Sequence, residues 1–80
     1  MKIAAIKKAV ESYSIEQLKK AEDEIMNELE PSIALDGADE GENLTHALAA
    51  IWIITKMKSQ QIDFNTALRL YTQKVRVSIS

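Results

Sequence analysis

Residues 47–54 read Ala-Leu-Ala-Ala-Ile-Trp-Ile-Ile, an unbroken apolar run with no polar side to turn toward water. Wound at about 3.6 residues per turn, such a run is apolar around the whole circumference, and a helix of that kind has to be covered from more than one direction. The run stops at Thr55 and Lys56, far short of the ~20 apolar residues a membrane span requires. The expectation is a soluble chain with a central helix over residues 40–58. Leu44, Ala47, Leu48, Ile51, Ile54 and Thr55 form one broad face of that helix, with Trp52 at its edge. Asp39 or a neighbour caps its start, and Glu40 and Glu42 complement the positive end of the helix dipole.

The rest of the chain has little that could interrupt helices. Gly37, Gly41 and Pro31 are the only glycines and proline in 80 residues, too few for the many turns of a β-sandwich. Ile3, Ile6, Ala9, Val10 and Tyr13 recur at helical spacing over 3–13. Ser14-Ile15-Glu16-Gln17 is a capping box, with Tyr13 and Leu18 in the positions of a hydrophobic staple. It opens a helix over 15–30 whose apolar stripe is Ile15, Leu18, Ile25, Met26 and Leu29, ended by Pro31. Residues 31–41 are a linker with room for one helical turn ended by Gly37. Asp63 is a good cap for a last helix over 63–77, with Phe64, Ala67, Leu68, Tyr71 and Val75 inside. The fold expected is all-α, a single domain over 1–80 with about four helices.

Charge is unevenly placed. Residues 1–20 hold five lysines against two glutamates, residues 21–42 hold nine carboxylates and no base, and residues 43–80 hold five bases against Asp63 alone. Such an acidic waist is expected to face basic segments of the same chain or of a second copy. With no uninterrupted apolar leader or cleavage motif at the start, the expected location is the cytoplasm.

Two features of the helical wheels stand out. Glu42, His46, Ala49 and Ile53 make a second stripe on the central helix, opposite Leu44 and Leu48. Ile53 and Met57 would be wet there in a monomer, whereas the small Ala49 and Ala50 admit another helix at close range. The expectation is a homodimer through Ala49, Ala50, Ile53 and Met57; the alternative is that the N-terminal helix covers this side within one chain. Glu22, for its part, falls between Leu18 and Ile25 and is expected to pair with a long basic side chain such as Lys58, the functional alternative being a metal ligand or general acid.

Signatures of catalysis are thin. There is no cysteine, and no serine lies in a G-x-S-x-G turn beside the single histidine. Asp39, Glu42 and His46 can share a helical face, which makes Glu42 and His46 candidates for a metal site, but a di-metal bundle uses Glu-x-x-His twice and here the pair is four apart and occurs once. The acidic loop 36–42 does not follow the EF-hand order. Arg69, Gln73 and Arg76 lie opposite the apolar face of the last helix, so a DNA-binding helix-turn-helix is an alternative, disfavoured by the net charge of -2.

Met1-Lys2-Ile3-x-x-Ile6, Ser14-Ile15-Glu16-Gln17-Leu18, Asp39-Glu40-Gly41-Glu42-x-Leu44-Thr45 and Lys74-Val75-x-x-Ser78-Ile79 follow one another in this order. With these motifs the chain resembles, over essentially all its length, a small family of uncharacterised all-helical proteins from Bacteroidetes-type bacteria. Ala4-Ala5 stand where such relatives often have proline, and His46 need not be shared. The resemblance implies a bacterial cytoplasmic origin and no activity, cofactor or ligand residue. The functional expectation is a non-enzymatic protein–protein interaction or accessory module without cofactor, with a homodimer and an unidentified protein as partners and neither membrane nor nucleic acid.

Overall fold

The computed structural model of the chain describes residues 2–79, with side chains described through Val75. It contains four helices, α1 (Ile3–Ser12), α2 (Ile15–Met26), α3 (Glu40–Gln60) and α4 (Phe64–Ile79). Each of the other three packs chiefly on α3. The all-round apolar sequence of α3 is thus satisfied by neighbours on several sides, as its wheel requires.

The buried core divides around α3. On one side Ala47, Ala50 and Ile54 meet Leu18, Ala21 and Ile25 of α2, Ala9 of α1 and Leu35 of the linker. On the other, Ala49 and Ile53 meet Ile6 of α1 and Ala67 of α4, with Trp52, Leu68 and Tyr71 partly buried around them. The Trp52 and Tyr71 rings lie tilted with centroids 5.6 Å apart, and Lys56 Nζ stands 5.4 Å from the Trp52 ring. The aromatic pair ties α4 to α3 through edges that stay partly wet, while the cation–π contact lies within α3.

This arrangement corrects two expectations. The face expected to join two copies is covered within the chain: Ala49, Ala50 and Ile53 are fully buried and Met57 half-buried. The small residues do admit a helix at close range, but it is α1, which brings Ile6 and its own small Ala9 to the contact. The face expected to point inward is in part the outside, since Leu48 is 42% exposed and Thr55 is exposed. Backbones approach most closely where side chains are smallest, so alanines rather than the bulkiest residues decide which side of α3 is buried.

Glu22 is also displaced from its expected role. The buried line of α2 runs Leu18–Ala21–Ile25, which leaves Glu22 half-buried on the flank. It has no ion-pair or hydrogen-bond partner among the described residues, and Lys58 is exposed.

Helix ends follow the capping chemistry read from the sequence. The Ser14 box is complete, with Gln17 N–H donating to Ser14 Oγ (3.2 Å) and Ser14 N–H to Gln17 Oε1 (2.9 Å). Asp39 Oδ1 accepts from Glu42 N–H at 2.8 Å, and Asp63 Oδ1 from Thr66 N–H at 2.8 Å. However, α2 ends four residues before the expected boundary. Glu28 takes a left-handed φ of 60°, Leu29 N–H donates to Glu24 O (2.8 Å) and Glu28 N–H to Ile25 O (3.0 Å). That is a Schellman closure, which satisfies the last carbonyls and turns the chain before Pro31 is reached. Gln61 (φ 53°) closes α3 in the same way, with Ile62 N–H donating to Met57 O.

Neither left-handed position is occupied by glycine, although glycine adopts that geometry without the Cβ penalty. Glu28→Gly and Gln61→Gly are each expected to raise stability by about 0.5–1 kcal/mol, read as the urea midpoint at unchanged slope. A loss of stability in both would contradict the assignment of these turns.

Candidate functional site

The segment between α2 and α3 forms no helix, and Gly37 does not end a helical turn there; Asp36 takes the left-handed conformation instead (φ 56°). Without a helix its backbone groups need other partners, and side chains from α2, α3 and the α1–α2 corner supply them. Ser32 N–H and Oγ–H donate to Glu24 Oε1 at 3.0 and 3.1 Å. Ala34 N–H donates to Tyr13 Oη at 3.3 Å, Gly37 N–H to Asn43 Oδ1 at 2.7 Å and Ala38 N–H to Glu42 Oε1 at 3.1 Å. Lys8 Nζ pairs with Asp36 at 3.1 Å. Gly37 is required by the close approach to α3, because a Cβ there would sit 2.7 Å from the Asn43 backbone nitrogen.

His46 is the deepest of these anchors and is fully buried. Its Nδ1 lies 2.8 Å from Leu35 O, and Lys2 N–H donates to its Nε2 at 3.1 Å. The neutral tautomer with the proton on Nδ1 satisfies both contacts. One imidazole on α3 therefore holds the linker on one side and the start of α1 on the other. Both ring nitrogens are used in this way, Glu42 holds the linker and Asp39 caps α3. Among the described residues no group of three His, Cys, Asp or Glu side chains is gathered as a metal site. Glu42 and His46, the pair of the metal alternative, each hold backbone groups in this structure.

For the nucleic-acid alternative, Arg69 and Gln73 are exposed on α4, while the side chain of Arg76 lies outside the described residues. Residues 61–63 join α3 to α4, with Gln61 left-handed where a helix-turn-helix often has glycine. Among the described residues no helix is long and apolar enough to cross a membrane.

What the strapped linker creates is a groove of about 570 Å³ between the end of α2, the linker and the start of α3. Ile25, Leu29, Pro31, Ile33 and Leu35 supply its apolar lining, and Glu28, Glu30 and Glu40 supply carboxylates. Leu29 is 59% exposed, as is Met26 in the last turn of α2 at 67%. The model of DUF6952, a family of unknown function, matches residues 1–80. The chain belongs to the DUF6952 family. No curated protein and no solved structure matches it. The expectation of an uncharacterised helical family with no assigned activity agrees with DUF6952 membership.

Hydrogen bonds from Ser32, its backbone N–H foremost, hold the Glu24 carboxyl below its ordinary value of 4.5. Those from Thr66, side chain first and then backbone, hold Asp63 below 3.8. A lowered folded value means that each contact contributes fully above the ordinary value and is lost as pH falls through the folded one. Acid is therefore expected to release the linker at Ser32 and to fray the start of α4. Amide shifts of Ser32 and Thr66 followed by NMR should titrate with midpoints below 4.5 and 3.8; midpoints at or above those values would contradict the bonds.

Proposed function

We propose that this DUF6952 protein is a protein–protein interaction module of the bacterial cytoplasm, without catalysis of its own. The observation that carries this reading is the division of labour among side chains. The polar groups that chemistry would call on, His46, Glu42, Asp39 and Glu24, hold the fold together. Meanwhile Met26, Leu29 and Leu48, which a closed core would take in, stand exposed. Exposed large apolar side chains on so small a domain are the material of an interface. A second copy is one candidate partner. Because Ile53 is buried by α1 and α4, the side of α3 left for another chain is the one carrying Leu48, with Leu44 and Ile51 half-exposed beside it.

The test is the size of the native protein in a gently prepared extract of its source cells, followed by antibody on a gel-filtration column. An assembly well above the 9.0 kDa of the chain is expected. Elution as a free monomer would overturn the reading.

A further inference from the structure

We propose that the groove between the end of α2, the linker and the start of α3 docks a basic, apolar-anchored segment of a partner protein. The inference rests on the interaction-module reading and names the surface and the chemistry of its occupant. Two properties of the groove select that occupant. Its floor is apolar, with Leu29 largely exposed and Pro31 and Ile33 half-buried, and Met26 in the last turn of α2 is exposed as well. Methionine and leucine side chains at such an edge adapt to the shape of an inserted anchor.

The second property is charge. Glu28, Glu30 and Glu40 line the groove, and none of their carboxylates has an ion-pair or hydrogen-bond partner among the described residues. They belong to the stretch 21–42, which holds nine carboxylates and no base. Repulsion among them is relieved by cations from outside, so lysine or arginine flanking an apolar anchor gains from both properties at once. The groove walls are also prepared in advance. Bonds from Glu24, Asn43, Glu42 and His46 fix the linker before any partner arrives, which lowers the ordering cost of binding.

The probe is a synthetic amphipathic leucine–lysine peptide of about five helical turns, titrated into the isotope-labelled full chain. A control peptide carries alanine in place of leucine. Amide shifts are expected at Leu29, Ile33, Gly37 and Asn43, saturating at one peptide per chain, with the control peptide binding at least about tenfold more weakly. The Glu28→Lys/Glu30→Lys chain and the Leu29→Ser chain should each bind about tenfold more weakly as well, since they remove charge and anchor separately. All these side chains are exposed, so thermal midpoints should hold and report intact folds. Equal binding of both peptides, shifts scattered over the acidic surface, unchanged affinity in the variants or no binding would each overturn the proposal. Shifts at the same amides on simple concentration of the peptide-free chain would overturn it in favour of a second copy. Failure here with a large native assembly still present condemns the groove and spares the interaction reading; a free native monomer condemns both.

Discussion

Replacing His46 with alanine is expected to lower stability by about 3 kcal/mol, a large part of the 5–15 kcal/mol by which small domains are stable. The loss has three sources. Leu35, nearly fully buried, is left with a carbonyl whose donor is gone, Lys2 N–H loses its acceptor near the surface, and a ring-sized void opens beside α3. Two milder variants separate the tethers. In His46→Asn the amide nitrogen falls near the place of Nδ1 and can still donate to Leu35 O, so the bond from Lys2 is the one lost. In His46→Gln the amide oxygen reaches the place of Nε2 and can still accept from Lys2, so the linker is the part released. Hydrogen exchange should therefore quicken at Ile6, whose N–H donates to Lys2 O, in the asparagine variant. It should quicken at Gly37 and Ala38 in the glutamine variant. A cost under about 1 kcal/mol for alanine, or the same amides affected in both, would show that His46 does not tie the two segments.

How far the sequence foretold this arrangement can be followed residue by residue. Ser14, Asp39 and Asp63 act as caps where local pattern placed them, because a cap is decided within four residues of chain. Four helices and a buried central one follow from the apolar run and the scarcity of glycine and proline. The end of α2 did not follow, because Glu28 in a left-handed turn carries no glycine to announce it. Nor did the linker. Its anchors Tyr13, Glu24, Asn43 and His46 are separated from their linker partners by 6 to 21 residues, and no periodicity encodes such meetings. His46 and Glu42 attracted attention as potential ligands, yet their types are equally suited to holding backbone N–H and C=O groups in place. The wheel of α3 erred for a physical reason, in that it weighted bulk over closeness of approach.

That last error leads to the second large effect. Ala21 of α2 and Ala47 of α3 are fully buried in one cluster with Ala9 and Ala50, so at the contact of α1, α2 and α3 four of the side chains are single methyl groups. An interior packed at crystalline density has no room for three extra carbons at such a point. Ala47→Leu is therefore expected to cost about 3 kcal/mol, at the upper end of overpacking penalties because a helix must move to make room. Ala21→Leu should be similar. The enlargement would push α2 off α3 and strain the linker between them, since Ser32 is bonded to Glu24 of α2 and Leu35 to His46 of α3. Leu48→Ala, on the exposed side of the same helix, should change stability by less than about 1 kcal/mol. The contrast inverts ordinary intuition about apolar residues, with added bulk at an alanine doing more harm than the removal of a leucine. Urea denaturation of the three variants measures it, and a Leu48→Ala cost equal to or above that of Ala47→Leu would mean that the buried side of α3 has been wrongly assigned.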